Sequence, residues 1–164
     1  MLKANKLNLF DEKLSLFVGK AFFVVMVTIL TQQNLQPDDA QTAAELDHQL
    51  NPNRTPLALT EVLANDTTYV FVYRQQQQIV GMATLTCYRV ISGYKGWIED
   101  VVVDRAHRGK GIGKQLTHAI LEKAKSLRLQ KLFLYTEDEK QTAIHLYEQL
   151  GFMQKDSRLY FLDL

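Results

Sequence analysis

The chain has 164 residues, 46% of them hydrophobic and 23% charged, with 19 basic against 18 acidic side chains for a net charge of +1. That length suits one globular domain with a sizeable core, and the balanced charge gives no global argument for nucleic acid or an anionic membrane, so neither is expected as a partner. A single cysteine, Cys87, excludes an intrachain disulfide and fits a cytoplasmic protein.

Residues 1–20 place Leu7, Phe10, Leu14 and Phe17 at helical spacing and read as an N-terminal extension. Residues 21–164 read as one domain. The apolar run 21–30 is too short to span a bilayer. Asp11 and Glu12 interrupt the basic residues before it and no cleavage pattern follows, so a strand over 22–30 is expected rather than a signal peptide. Pro37-Asp38-Asp39 starts a helix running to about Leu50, and Thr55-Pro56 predicts a second helix to about Asn65. Residues 67–74 alternate as a strand. A glutamine connection leads to a longer strand over 79–90, an antiparallel hairpin in which Gly81 suggests a bulge or a close backbone approach. Residues 91–96 read as a loop, and Cys87 as a small buried hydrophobe.

Residues 97–103 form the central strand. A helix is expected from Arg108 to about Arg128, with Ile112, Leu116, Ile120, Ala124 and Leu127 as its apolar stripe. Residues 131–135 are the next strand, parallel to the central one across a right-handed crossover. Residues 142–150 form a last helix, with Ala143, Leu146, Tyr147 and Leu150 on one face and Gly151 ending it. One or two strands are expected over 152–164. The fold class is therefore α+β, with a mixed sheet and one βαβ crossover.

Chemistry concentrates in W-I-E-D-V-V-V-D-R-A-H-R-G-K-G-I-G-K, residues 97–114. A strand that feeds a glycine-rich turn and a helix start can hold phosphate, because the first helical turn offers free N–H groups and a partial positive charge. Gly109, Gly111 and Gly113 match neither the Walker A spacing nor the dinucleotide fingerprint. What remains is Arg108-x-x-Gly111-x-Gly113. On a regular strand Glu99 and Asp100 point to opposite faces, Glu99 with Val101 and Val103, Asp100 with Val102. They cannot form a dyad unless a bulge intervenes, so only one is expected to face a substrate. His48, His107, His118 and His145 have no ligand spacing, so no metal is expected; His107 lies beside the glycine loop.

The Arg-x-x-Gly-x-Gly loop, followed one strand later by A-I-H-L-Y-E-Q-L-G-F (residues 143–152), resembles the GCN5-related N-acetyltransferase (GNAT) superfamily. The resemblance is detailed over 97–152 and topological over 26–96. It implies a GNAT fold, a mostly antiparallel sheet of about six or seven strands with a central βαβ crossover and flanking helices. It implies a cytoplasmic acetyl-CoA-dependent N-acetyltransferase that takes no metal and acts by direct attack of a primary amine through a tetrahedral intermediate. By the resemblance, Arg108, Gly109, Lys110, Gly111, Ile112, Gly113 and Lys114 hold the pyrophosphate of coenzyme A, and Val101, Val102 and Val103 run beside its pantetheine arm. Glu99 is the favoured base over Asp100, and Tyr147 the group that meets the departing thiolate. A family asparagine is replaced by Lys140, which cannot accept a hydrogen bond and would meet coenzyme A through charge. Asp100, Tyr88 and Tyr94 are candidates for the acceptor pocket, which residues 35–65 and 91–96 are expected to shape. A small-molecule amine is the expected acceptor, with a protein N-terminus or lysine, or a non-catalytic acyl-CoA sensor, as alternatives. Many relatives dimerise, so a homodimer is compatible with the resemblance.

Overall fold

The computed structural model describes residues 26–163, so the expected helix over 1–20 lies outside the described residues. The chain divides into two compact units, one ending at Leu134 and one beginning at Tyr135.

The first unit is built on a five-stranded sheet of order β1-β2-β3-β4-β5. The strands are β1 (Met26–Ile29), β2 (Thr68–Gln75), β3 (Gln78–Val90), β4 (Gly93–Val103) and β5 (Lys131–Leu134). The first four pair antiparallel, and β4 pairs parallel with β5. The helix α3 (Ile112–Ser126) supplies the crossover. Its stripe packs as the spacing predicts, with Ile112, Leu116, Ile120 and Ala124 buried, while Leu127 lies just past the helix end and is half-buried. On the other side of the sheet, α1 (Asp39–Leu50) and α2 (Leu59–Leu63) bring Ala43, Leu46 and Leu59 against Val70, Val72, Met82 and Val102. The sheet is thus covered on both faces, which its near-continuous apolar strands require.

A buried ion pair ties α1 to the sheet. Arg74 of β2 donates to both carboxylate oxygens of Asp39, at 2.7 and 2.6 Å.

Four expectations change. Among the described residues the sheet has five strands, not six or seven: residues 152–163 form none. Tyr160, Phe161 and Leu162 have strand-forming side chains but stay exposed, and such propensity is realised only on a surface where the side chains can pack. Residues 91–96 are not a loop: Ile91 and Ser92 make a two-residue turn and Gly93 already belongs to β4, which extends the hairpin by the register Val90↔Gly93. Third, α2 begins at Leu59, after Ala58, rather than at Thr55. Fourth, α3 begins at Ile112, because a single 3₁₀ turn (Arg105–His107) and the glycines occupy the preceding residues.

The second unit carries α4 (Gln141–Gln149). Its end is a Schellman motif: Phe152 N–H donates to Tyr147 O at 3.0 Å and Gly151 N–H to Glu148 O at 3.0 Å. The accompanying hydrophobic contact is aromatic, with Phe152 edge-on to Tyr147 at 5.8 Å. Among the described residues no helix is long and apolar enough to cross a membrane.

Candidate active site

The site begins at an irregularity in β4. Glu99 pairs with Thr84 and Val102 with Met82, which leaves Asp100 and Val101 opposite Ala83 alone. Two residues against one is a β-bulge. Asp100 takes φ +51°, a left-handed conformation uncommon outside glycine. Strain of this kind collects where a backbone is shaped for a ligand. The bulge also overturns the simple alternation. By register, Glu99 shares its face with Val102 rather than with Val101 and Val103, and both acids line one cavity.

That cavity encloses about 330 Å³. The sheet contributes Thr68, Thr84, Thr86, Glu99 and Asp100, and the α2 region contributes Leu57, Glu61, Val62 and Asn65. Of residues 35–65, only the stretch 57–65 borders it, and residues 91–96 do not. Tyr94 lies opposite Arg89 on the other face of the hairpin, where its ring carries the Arg89 guanidinium at 4.5 Å. Tyr88 shares the parity of Thr84 and Thr86 but falls beyond the cavity wall.

The two acids have different surroundings. The Glu99 carboxyl is pushed above the usual carboxylate range, first by loss of hydration against the cavity wall and then by the Asp100 charge; Arg54 opposes both. Asp100 is an ion-pair partner: Arg54 Nη2 donates to its Oδ1 at 2.9 Å. The same nitrogen also bonds the buried Asp47 of α1. This second pair and the one to Asp100 raise the Arg54 pKa still further, despite partial burial. Arg54 therefore staples the bulge to α1. No sequence signal singles it out, since it sits in an irregular connection. The cavity threonines had one: T-L-T at 84–86 places hydroxyls at every second position of an otherwise apolar strand.

Beyond the bulge, β4 parts from β5. Their register ends at Ile98↔Leu134, so Val101 and Val103 lie past it. The strand then runs into Asp104, which accepts from Ala106 N–H at 2.8 Å and from Gln49 at 3.0 Å and stands 3.1 Å from His107 Nδ1. The Gln49 contact leads the causes that lower the Asp104 pKa. His107 is thereby engaged within the turn. Gly109 and Gly111 follow at φ +76° and +75°, and a Cβ on either would meet nothing within 4 Å. The loop is open, and its glycines are required by backbone conformation rather than by crowding. The first α3 amide paired to the loop is Gln115, which donates to Gly111 O at 3.1 Å. The N–H groups of Ile112, Gly113 and Lys114 ahead of it are those a helix start leaves free. Arg108 Nε donates to Val103 O at 3.0 Å, and Lys110 Nζ reaches Ala106 O at 3.5 Å. Gly111→Ala is expected to destabilise the protein by about 1–2 kcal/mol through left-handed strain alone, read from the urea midpoint; no change would mean that the loop relaxes freely.

In the second unit, Tyr147 is 8% exposed, and burial raises its phenol pKa. Lys140 Nζ pairs with Glu137 Oε2 at 3.0 Å.

Comparison with known proteins places this geometry. The family model described as "Acetyltransferase (GNAT) family" matches residues 32–152. A glucosamine 6-phosphate N-acetyltransferase from Trypanosoma brucei brucei is 34% identical over 99 residues, covering 58% of this chain and 65% of that protein. An uncharacterised N-acetyltransferase from Bacillus subtilis is 33% identical over 82 residues, covering 50% of this chain and 32% of that protein. The chain thus spans less than two thirds of the length of either. A Trypanosoma brucei acetyltransferase of known structure has TM-score 0.70 at 27% identity, covering 85% of this chain and 99% of that one.

Proposed function

The chain belongs to the acetyltransferase (GNAT) family, and on that premise we propose that it transfers an acetyl group from acetyl-CoA to the primary amine of a small molecule. The observation that carries this reading is the Glu99 carboxyl, of raised pKa, in a small-molecule-sized cavity. It stands on the strand that leads into the glycine loop and the open helix start. The residues present suit coenzyme A: the space over Gly109 and Gly111 admits a pyrophosphate, and the amides of Ile112, Gly113 and Lys114 can donate to it. Arg108 spends its Nε on Val103 O, which leaves its terminal nitrogens without a partner among the described residues. Val101, Val102 and Val103 belong to the part of β4 past its register with β5, suited to the pantetheine arm.

An alkylamine arrives as an ammonium with a pKa of about 10.4. Glu99 takes its proton, directly or through water, and the freed lone pair attacks the thioester carbonyl carbon. A backbone N–H at the Asp100–Val101 bulge stabilises the oxygen of the tetrahedral intermediate. The nitrogen gives up its second proton to solvent, the C–S bond breaks, the neutral amide remains on the acceptor, and the thiolate leaves. Tyr147, assigned by its place in the 143–152 motif, donates to that thiolate. Full proton transfer is uphill, because a thiol has a pKa of about 8.5 and a free tyrosine about 10, and burial raises Tyr147 further. Hydrogen-bond donation is therefore its main role. Tyr147→Phe should lower kcat by about 10- to 100-fold, the value of one hydrogen bond to a charged group, and leave acetyl-CoA affinity unchanged.

The reading is tested by thiol release from acetyl-CoA against polyamines, amino sugars, aminoglycosides and peptides. Turnover on small amines is expected. Turnover on peptides alone would make this a protein acetyltransferase. Tight coenzyme binding with no turnover on any amine would make it a sensor.

A further inference from the structure

The charge of the acceptor cavity narrows the amine. Three side chains in its wall are carboxylates, Glu61, Glu99 and Asp100, and none is a cation. The nearest guanidinium, Arg54, already serves both Asp47 and Asp100, so that triad carries a net charge of −1 and has none to spare for an anionic ligand. Glu61, on α2, makes no side-chain hydrogen bond or ion pair with any described residue. Among the described residues no three His, Cys, Asp or Glu side chains are grouped to hold a metal ion, so an organic cation suits this field better than a chelated one.

A second observation points to a ligand independently of charge. Thr84 is 9% exposed and lines the cavity directly across the strands from Glu99. Its hydroxyl has no hydrogen-bond partner among the described residues. Among the described residues no buried side-chain nitrogen or oxygen lacks a partner, so this hydroxyl, on an otherwise enclosed residue, opens onto the cavity, where a bound donor can meet it. Thr68 and Thr86, paired across β2 and β3, extend this polar wall.

Building on the acetyltransferase reading, we propose that the acceptor is a diamine without an anionic group. One nitrogen is acetylated beside Glu99 and Thr84, and a second, still protonated, is held by Glu61. An amine bearing a carboxylate or phosphate would place its negative charge among three carboxylates with no free cation in the wall, a juxtaposition that disfavours binding. The class therefore differs from the phosphorylated amino sugar in the name of the trypanosomal relative.

The test uses the full chain and three amines of matched length: 1,4-diaminobutane, 1-aminobutane and 4-aminobutanoate. Binding is read by calorimetry and turnover by thiol release from acetyl-CoA. The diamine should bind and react best, with kcat/KM about tenfold above the monoamine and about a hundredfold above the amino acid, as one and two charge contacts would give. Glu61→Gln should raise the diamine KM about tenfold and the monoamine's much less, so that the diamine-to-monoamine ratio falls. Equal use of 4-aminobutanoate, or a diamine-to-monoamine ratio unmoved by Glu61→Gln, overturns the proposal while the enzyme stands. Diamine binding sensitive to Glu61→Gln without turnover supports the cavity assignment and overturns the catalytic reading instead.

Discussion

Glu99→Gln is expected to lower kcat by about 10²–10⁴-fold, the usual worth of a general base, while acetyl-CoA binding stays intact. Glutamine keeps the size and polarity of the side chain but cannot take a proton. The pH dependence gives the sharper reading. Loss of hydration in the cavity, and then the neighbouring Asp100 charge, hold the Glu99 pKa above the usual carboxylate range, with Arg54 pulling the other way. A base acts in its deprotonated form. The kcat/KM of the native protein should therefore fall as pH drops through that raised value, and the acidic limb should be missing in Glu99→Gln. Arg54→Met should move the limb upward in the native-Glu99 background, since it removes the one cause that lowers this pKa. Unchanged kcat in Glu99→Gln would take the base assignment away from Glu99. Asp100 would be a poor replacement, because its carboxylate is committed to Arg54.

Arg74→Met is expected to cost about 3–5 kcal/mol of stability, because it leaves the Asp39 carboxylate buried without its partner. The pair is enclosed, with side-chain exposures of 15% and 4%, and bidentate. Burial by itself raises the Asp39 pKa, but the Arg74 hydrogen bonds, the Gln36 amide and the Arg74 charge together bring it below the ordinary value. A carboxyl with a depressed folded pKa stabilises the protein above its unfolded pKa of about 3.9, and that contribution is lost as pH falls through the folded value. In Arg74→Met the sign reverses: desolvation is left less opposed, so the variant suffers most near neutrality and is relieved as Asp39 protonates. Urea unfolding from pH 7 to pH 3 should show the gap between the two proteins closing in acid. A gap under about 1 kcal/mol, or one independent of pH, would mean that the pair is screened. Replacing both partners by apolar side chains, Arg74→Met with Asp39→Leu, should recover much of the loss.

The two variants probe different parts of the molecule that the primary structure reveals unequally. Asp39 was legible as an acid in the first turn of α1, but its partner lies 35 positions away on β2. Glu99 was legible from its strand and the loop after it. Arg54, which fixes the bulge beside it, was not, because an arginine in an irregular stretch between two helices resembles any solvated side chain. Tyr94 was misplaced for a related reason. With residues 91–96 read as a loop, no strand parity applied to it; the turn at Ile91 and Ser92 puts it in β4, on the face away from Glu99.

What the amino-acid order determined by itself is local. The stripe of α3, the strand before its glycine loop and the glycine-terminated α4 follow from periodicities and backbone preferences that act over a few residues, and each is present, although β4 begins earlier and α3 later than those rules predict. Tertiary structure alone decided the cross-strand register, and with it the bulge at Asp100, the convergence of Glu99 and Asp100 on one cavity, and the Thr84 hydroxyl opposite them. The physical reason is that a strand's alternation says which side chains oppose one another along one chain. Where two residues face one is set by hydrogen bonding to a neighbouring strand, and by an arginine from elsewhere that holds the extra residue in place.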